Sequence, residues 1–123
     1  MLVVDDEPDA RELLFTIICS AEGEVACAES VQEAFELLQR FQPDVVVSDV
    51  GMPDEDGHSF MRKLRKLAPH ALAAVPAVAL TAYTRPEDQA LAMAAGFDKY
   101  LGKPVDPHEL LTVLASLVQA SRR

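Results

Sequence analysis

Tryptophan is absent, and the only other aromatics are five Phe and two Tyr in 123 residues. Any core this chain builds must therefore be aliphatic, and with 50% of the residues hydrophobic there is enough Leu, Val, Ala and Ile to build one. Basic residues are also scarce. Eleven Lys and Arg stand against twenty Asp and Glu, a net charge of −9. Nucleic acid and anionic membranes are held by clustered Lys and Arg, so direct contact with either is not expected. Only two cysteines occur, Cys19 and Cys27. They lack zinc-type spacing, and two thiols do not make a disulfide framework. Cys19 follows Ile17 and Ile18 and reads as a small buried apolar residue, which fits a reducing, cytoplasmic compartment. No run approaches the roughly 20 apolar residues of a membrane span. The acidic start lacks the basic residues of a signal peptide.

What is present is an alternation of strand and helix patterns. Leu2-Val3-Val4 is a short apolar run that ends in Asp5-Asp6. Ala10, Leu13, Leu14, Ile17 and Ile18 then recur at helical spacing. Val25 to Ala28 is a weak second strand, and Ser30 to Glu33 has capping-box spacing ahead of a helix striped by Val31, Ala34, Phe35 and Leu38. Val45-Val46-Val47 is the clearest strand and ends in Ser48-Asp49. A loop with Gly51, Pro53 and Gly57 leads to a helix carrying Phe60, Leu64 and Leu67. Residues 68–74 read as a loop, and Val75 to Leu80 as a fourth strand ending in Thr81-Ala82. Thr84 to Glu87 repeats the capping-box spacing, with Pro86 in the first turn and Gly96 as the stop. Asp98 to Gly102 is the fifth strand, and Asp106 opens a last helix striped by Leu110, Leu111, Leu114, Leu117 and Val118. Five βα units over residues 1–123 imply one α/β domain, a parallel sheet with helices on both faces. Both ends of the chain are read as lying near the domain boundaries.

Open α/β sheets carry their sites outside the carboxyl ends of the strands. Asp5-Asp6, Asp49, Thr81 and Lys103 fall there, at the ends of the first, third, fourth and fifth strands. Alone, each has an ordinary explanation. An Asp after a strand is commonly a turn or cap residue, and a Lys before Pro is commonly solvated. Their convergence from distant parts of the chain is what points to chemistry. Three carboxylates at close quarters repel, and a divalent cation relieves the repulsion. Oxygen ligands in a partial cage suit Mg2+. A carboxylate beside Mg2+ can take up a phosphoryl group, with Lys103 supplying a counter-charge and Thr81 a hydroxyl. His58, His70 and His108 do not form a catalytic set and read as solvated. Met52 reads as a packing residue.

These residues, taken together, resemble the response-regulator receiver family over nearly the whole chain. The resemblance lies in Leu2 to Pro8, Asp44 to Pro53, Asp56-Gly57, Leu80-Thr81-Ala82, Ala95 to Asp98 and Tyr100 to Pro104. It implies a flavodoxin-like, doubly wound five-stranded parallel sheet of order 2-1-3-4-5 with five helices. It implies Asp49 as phosphoacceptor and Asp6 as a direct Mg2+ ligand. Asp5 would act through water, and the carbonyl of Gly51 would complete the protein ligands. Thr81 and Tyr100 would be a switch pair, and Lys103 would contact the phosphoryl group across a cis Lys103–Pro104 peptide. Gly51 and Tyr83 would flank the path of attacking water and help to set phosphoryl lifetime. Glu55 departs from the apolar residue often found there, which touches loop packing. The implied partner is a histidine kinase or histidine phosphotransfer domain, with room for a homodimer. The implied parent is a hybrid sensor kinase, the alternative being a stand-alone or transcription-factor receiver.

Two other functions compete. A Mg2+-dependent phosphohydrolase of the haloacid-dehalogenase type also forms an aspartyl phosphate, but needs a second Asp two residues on, where this chain has Gly51. A flavodoxin-like cofactor binder needs a phosphate-cradling loop after the first strand, where Asp5-Asp6-Glu7 would repel phosphate.

Overall fold

A computed structural model describes residues 1–20, 24–40, 42–51, 56–66, 74–82 and 85–121, and no side chain of residues 20 or 119–121. Five strands alternate with five helices among these residues: β1 (Leu2–Val4), α1 (Pro8–Ser20), β2 (Ala26–Ala28), α2 (Val31–Leu38), β3 (Val46–Asp49), α3 (Gly57–Leu64), β4 (Ala77–Thr81), α4 (Pro86–Ala95), β5 (Lys99–Gly102) and α5 (Pro107–Ser121). The strands form one sheet of order β2-β1-β3-β4-β5. Every pairing is parallel, the flavodoxin-like architecture expected. The expectations for Met52, Pro53, Glu55, Leu67, His70, Tyr83 and Thr84 lie outside the described residues.

Successive strand residues point to opposite faces, and both faces are buried. Leu2, Val4, Val46, Ala77 and Ala79 face one way and pack with Val31, Ala34 and Leu38 of α2, Phe60, Met61 and Leu64 of α3, and Ala92 and Ala95 of α4. Val3, Val45, Val47, Val78, Leu80 and Leu101 face the other way and meet Leu14, Ile17 and Ile18 of α1 and Leu110, Leu114 and Leu117 of α5. This two-sided burial is why the strands read as unbroken apolar runs. Among the described residues, the aromatics of the core lie on one side, where Phe35 and Phe60 meet edge-on at 5.2 Å between ring centroids.

The caps largely follow the sequence. Ser30 Oγ accepts the Glu33 N–H at 3.1 Å, Asp56 Oδ1 accepts the Ser59 N–H at 2.7 Å, and Asp106 Oδ1 accepts the N–H groups of His108 and Glu109. α4 departs from expectation. Its N-cap is Arg85, without a side-chain hydrogen bond to the cap, while Pro86 does open the helix. Gly96 closes it in the left-handed region, φ 116°. Strands β2, β4 and β5 start one or two residues later than the apolar runs suggested. At β5 the reason is visible: the Asp98 N–H donates to the Ala77 carbonyl, and its carboxylate accepts the Ala77 N–H at 2.8 Å, so Asp98 acts as a strand cap.

One expectation about the core fails. Cys19 is exposed. It follows Ile17 and Ile18 in sequence, but on a helix it falls on the solvent side of the stripe that Leu14, Ile17 and Ile18 bury. Cys27 is partly buried and packs against the α1–α5 side of the core.

Candidate functional site at the carboxyl edge of the sheet

The register of the sheet carries the candidate residues to one edge. Val4 pairs with Ser48, Asp49 with Leu80, and Thr81 with Gly102. The residues just beyond β1 therefore border the end of β3 directly, and those beyond β5 border it across β4. The Lys103 N–H donates to the Thr81 carbonyl at 2.8 Å, which holds the chain after β5 against the end of β4. The Lys103–Pro104 peptide is cis.

Asp5, Asp49 and Thr81 are buried, at 0%, 7% and 3% relative exposure, values rare for carboxylates and so informative here. Carboxylate oxygens of Asp5, Asp6 and Asp49 lie within 4.8 Å of one another. Lys103 Nζ sits between two of them, 3.2 Å from Asp49 Oδ1 and 3.4 Å from Asp5 Oδ2. Main-chain donors assist: the Glu7 N–H reaches Asp5 Oδ1 at 3.0 Å and the Gly51 N–H reaches Asp49 Oδ1 at 3.3 Å. Burial pushes the Asp5 carboxyl above its ordinary value and the Asp49 charge adds to this, while the Glu7 N–H and Lys103 act in the opposite direction. For Lys103, burial favours loss of the proton, but Asp5 and Asp49 together outweigh it and hold the ammonium above its ordinary value. One ammonium facing this cluster leaves a surplus of negative charge.

That surplus is the test of fit for a hard cation. Clustered oxygen donors, two of them buried and under-neutralised, have the chemistry of a Mg2+ site. Side-chain oxygens of Asp5, Asp6 and Asp49 would be offered to the ion.

Tyr100 of β5 pairs with Ala79 of β4 and is half-buried. Its hydroxyl oxygen is buried and has no hydrogen-bond partner among the described residues. It borders a hollow of about 260 Å³ whose lining includes Gly51, Thr81, His58 and Asp88. His58 departs from expectation: it is half-buried and meets Phe97 edge-on at 6.4 Å. His108 is exposed, as expected.

Two residues shape the site in ways that the sequence reading does not assign. A Cβ on Gly57 would stand 2.4 Å from the Asp49 carbonyl oxygen. Only glycine lets the start of α3 close on the end of β3, where the Gly57 N–H donates to the Val50 carbonyl at 2.9 Å. The Asp-Gly pair at 56–57 was the available signal. The other is Arg11, whose Nη1 donates to the main-chain carbonyl of Asp5 at 2.8 Å. Nothing in local sequence marks that contact.

Known proteins share the fold and the sequence family. Residues 1–115 match the response regulator receiver domain family. An uncharacterised 14.6 kDa protein from Leptolyngbya boryana is 44% identical over 93% of this chain and 86% of its own length. Response regulator Rre1 of Synechocystis sp. is 37% identical over 96% of this chain, which spans only 51% of that longer protein. The chemotaxis protein CheY4 of Vibrio cholerae superposes with a TM-score of 0.87 at 32% identity, covering 94% of this chain and 95% of its own. The chain belongs to the response regulator receiver domain family of two-component signalling.

Proposed function

We propose that Asp49 is the residue of this receiver that accepts the phosphoryl group, in a site completed by Asp5, Asp6, the Gly51 carbonyl, Thr81 and Lys103. The observation that carries the proposal is Lys103 Nζ poised 3.2 Å from Asp49 and 3.4 Å from Asp5 beside clustered carboxylates. In the transfer, an Asp49 carboxylate oxygen forms a bond to phosphorus while the bond from phosphorus to the donor breaks. The donor is a phosphohistidine of a kinase or phosphotransfer domain; with its other ring nitrogen protonated, the imidazole takes the electron pair of the broken P–N bond and leaves neutral. Bound Mg2+ would neutralise phosphoryl oxygens. Lys103 adds a point charge on the same group, and the Thr81 hydroxyl a hydrogen bond. Asp49 ends β3, which lies between β1 and β4, and this support of its main chain is what an in-line attack requires.

The product adds roughly two negative charges at neutral pH. Thr81 is drawn toward them, and Tyr100, beside the same hollow, turns with it. On this reading the domain is a switch and not a turnover phosphohydrolase, since Gly51 offers no acid–base side chain where that class needs one. No helix among the described residues is long and apolar enough to cross a membrane, and a cytoplasmic setting follows from the proposed kinase partner. The motif stretches favour a hybrid sensor kinase as parent; a full-length gene without a kinase core would overturn that.

Incubation with Mg2+ and acetyl phosphate, read by intact mass and peptide mapping, tests the central assignment. Wild type should gain one phosphoryl group on Asp49, and Asp49→Asn should keep its fold and gain none. Equal labelling of both would remove Asp49 from the role. Sustained turnover of a phosphomonoester would restore the phosphohydrolase.

A further inference from the structure

Asp5 and Asp6 are neighbours in sequence, so the peptide between them sets the direction of both carboxylates at once. The Asp5 N–H donates to the Ala28 carbonyl at 3.0 Å, which fixes the near side of Asp5 to β2. The Asp5 carbonyl, on the far side, accepts from Arg11 Nη1 at 2.8 Å. Arg11 is in the first turn of α1, where its N–H donates to the Glu7 carbonyl at 3.1 Å. Its guanidinium also stands 3.8 Å from Glu29 Oε2, but that carboxylate is 66% exposed, and so open a pair holds little. The carbonyl contact is shorter, partly buried and charge-assisted.

We propose that Arg11 is a positioning residue for the cation site: its bond to the Asp5 carbonyl orients the Asp5–Asp6 peptide so that both carboxylates meet the ion. The inference rests on the Mg2+ site described above. Charge alone argues the other way. A guanidinium beside an acidic cluster repels Mg2+, so if Arg11 acted only through its charge, removing it would tighten binding. Glu29 offsets part of that repulsion, whereas the peptide governs two of the three clustered carboxylates. Orientation therefore dominates, and the two effects differ in sign, which makes them separable.

The experiment is calorimetric titration of the full chain with Mg2+, comparing wild type with Arg11→Ala, Arg11→Met and Arg11→Lys. Thermal melting in EDTA confirms that each variant is folded. Arg11→Met keeps the aliphatic packing and lacks the donor, so it serves even where Arg11→Ala fails to fold. Removing a partner that orients metal ligands weakens metal binding by about tenfold or more, and that loss is expected for Ala and Met. Arg11→Lys, which keeps a donor of similar reach, should recover part of it. Unchanged or tighter binding in Arg11→Met overturns the positioning role while leaving the site intact. A wild type that takes up no Mg2+ overturns the site as well, so the two failures are distinguishable.

Discussion

Arg65 and Lys103 both meet carboxylates at an end of the same sheet, Arg65 at the amino edge and Lys103 at the carboxyl edge. Arg65 follows α3 as its C-cap and spends its guanidinium on main chain. Nε and Nη2 donate to the Gly96 carbonyl at 3.0 and 2.7 Å, Nη1 donates to the Val75 carbonyl, and Nη2 reaches Asp98 Oδ2 at 3.1 Å. The Asp98 carboxylate also accepts the Ala77 N–H. One side chain thus ties the end of α3 to the starts of β4 and β5 and the end of α4. Lys103 faces the buried carboxylates Asp5 and Asp49 with Asp6 beside them, and the charge does not balance. The same chemistry serves two ends: closure at the amino edge holds the fold, and the surplus at the carboxyl edge keeps a place for a cation.

The largest effect that could break this comparison is at the amino edge. Arg65→Ala should cost about 3 kcal/mol, because charge-assisted hydrogen bonds are lost and two carbonyls are left without their donor. Urea denaturation with and without Mg2+ measures it, and the loss should be the same in both. A loss under 1 kcal/mol would show that Arg65 is not the tie described. Lys103→Met should cost less, roughly 1–2 kcal/mol in EDTA, since this side chain is 27% exposed and a carboxylate left without it can take up a proton. Saturating Mg2+ should shrink that cost by replacing the missing counter-charge. Equal Mg2+ dependence of both variants would erase the distinction between the two edges.

A third test uses protons in place of the metal. The folded-state value of Asp5 lies above its ordinary 3.8. Between the two values the folded protein holds more proton than the unfolded chain, so stability falls as pH rises through that window. In EDTA, melting temperature followed from pH 6 downward should therefore shift in favour of wild type over Asp5→Asn as the Asp5 carboxylate takes up its proton. Parallel curves for the two proteins would mean that Asp5 is not destabilised as a buried anion.

Much of this was legible before any coordinates, and the reason is periodicity. Strand patterns end in Asp5-Asp6, Asp49, Thr81 and Lys103, and a parallel sheet must bring such ends to one edge. Cys19 was misplaced because its sequence neighbours were read without the helical turn that carries it outward. Arg11 and Arg65 were invisible for a different reason. Each reaches a main-chain carbonyl, every residue has one, and only the tertiary fold says which lies in range. Gly57 stood in plain view as a loop glycine, but its closeness to the Asp49 carbonyl depends on how α3 approaches β3.

The smallest expected effect concerns Tyr100. Its hydroxyl oxygen is buried and has no hydrogen-bond partner among the described residues, and burial raises its pKa, with the Asp88 charge adding to the shift. A buried, unpaired hydroxyl opposes folding because it gives up water and gains nothing in return. Tyr100→Phe removes only that oxygen and keeps the ring that packs against Ala79 and its neighbours on the α2–α4 side of the sheet. The unphosphorylated protein should therefore be unchanged or up to about 1 kcal/mol more stable. If Tyr100 serves the switch, its hydroxyl finds a partner once Asp49 is modified. The variant's advantage should then vanish or reverse when both proteins are saturated with beryllofluoride and Mg2+. Paired urea denaturations with and without beryllofluoride read this directly. A loss above 1 kcal/mol in the unmodified variant would show that the hydroxyl is already bonded in the resting state, and an advantage unaffected by beryllofluoride would leave Tyr100 a packing residue at the edge of the sheet.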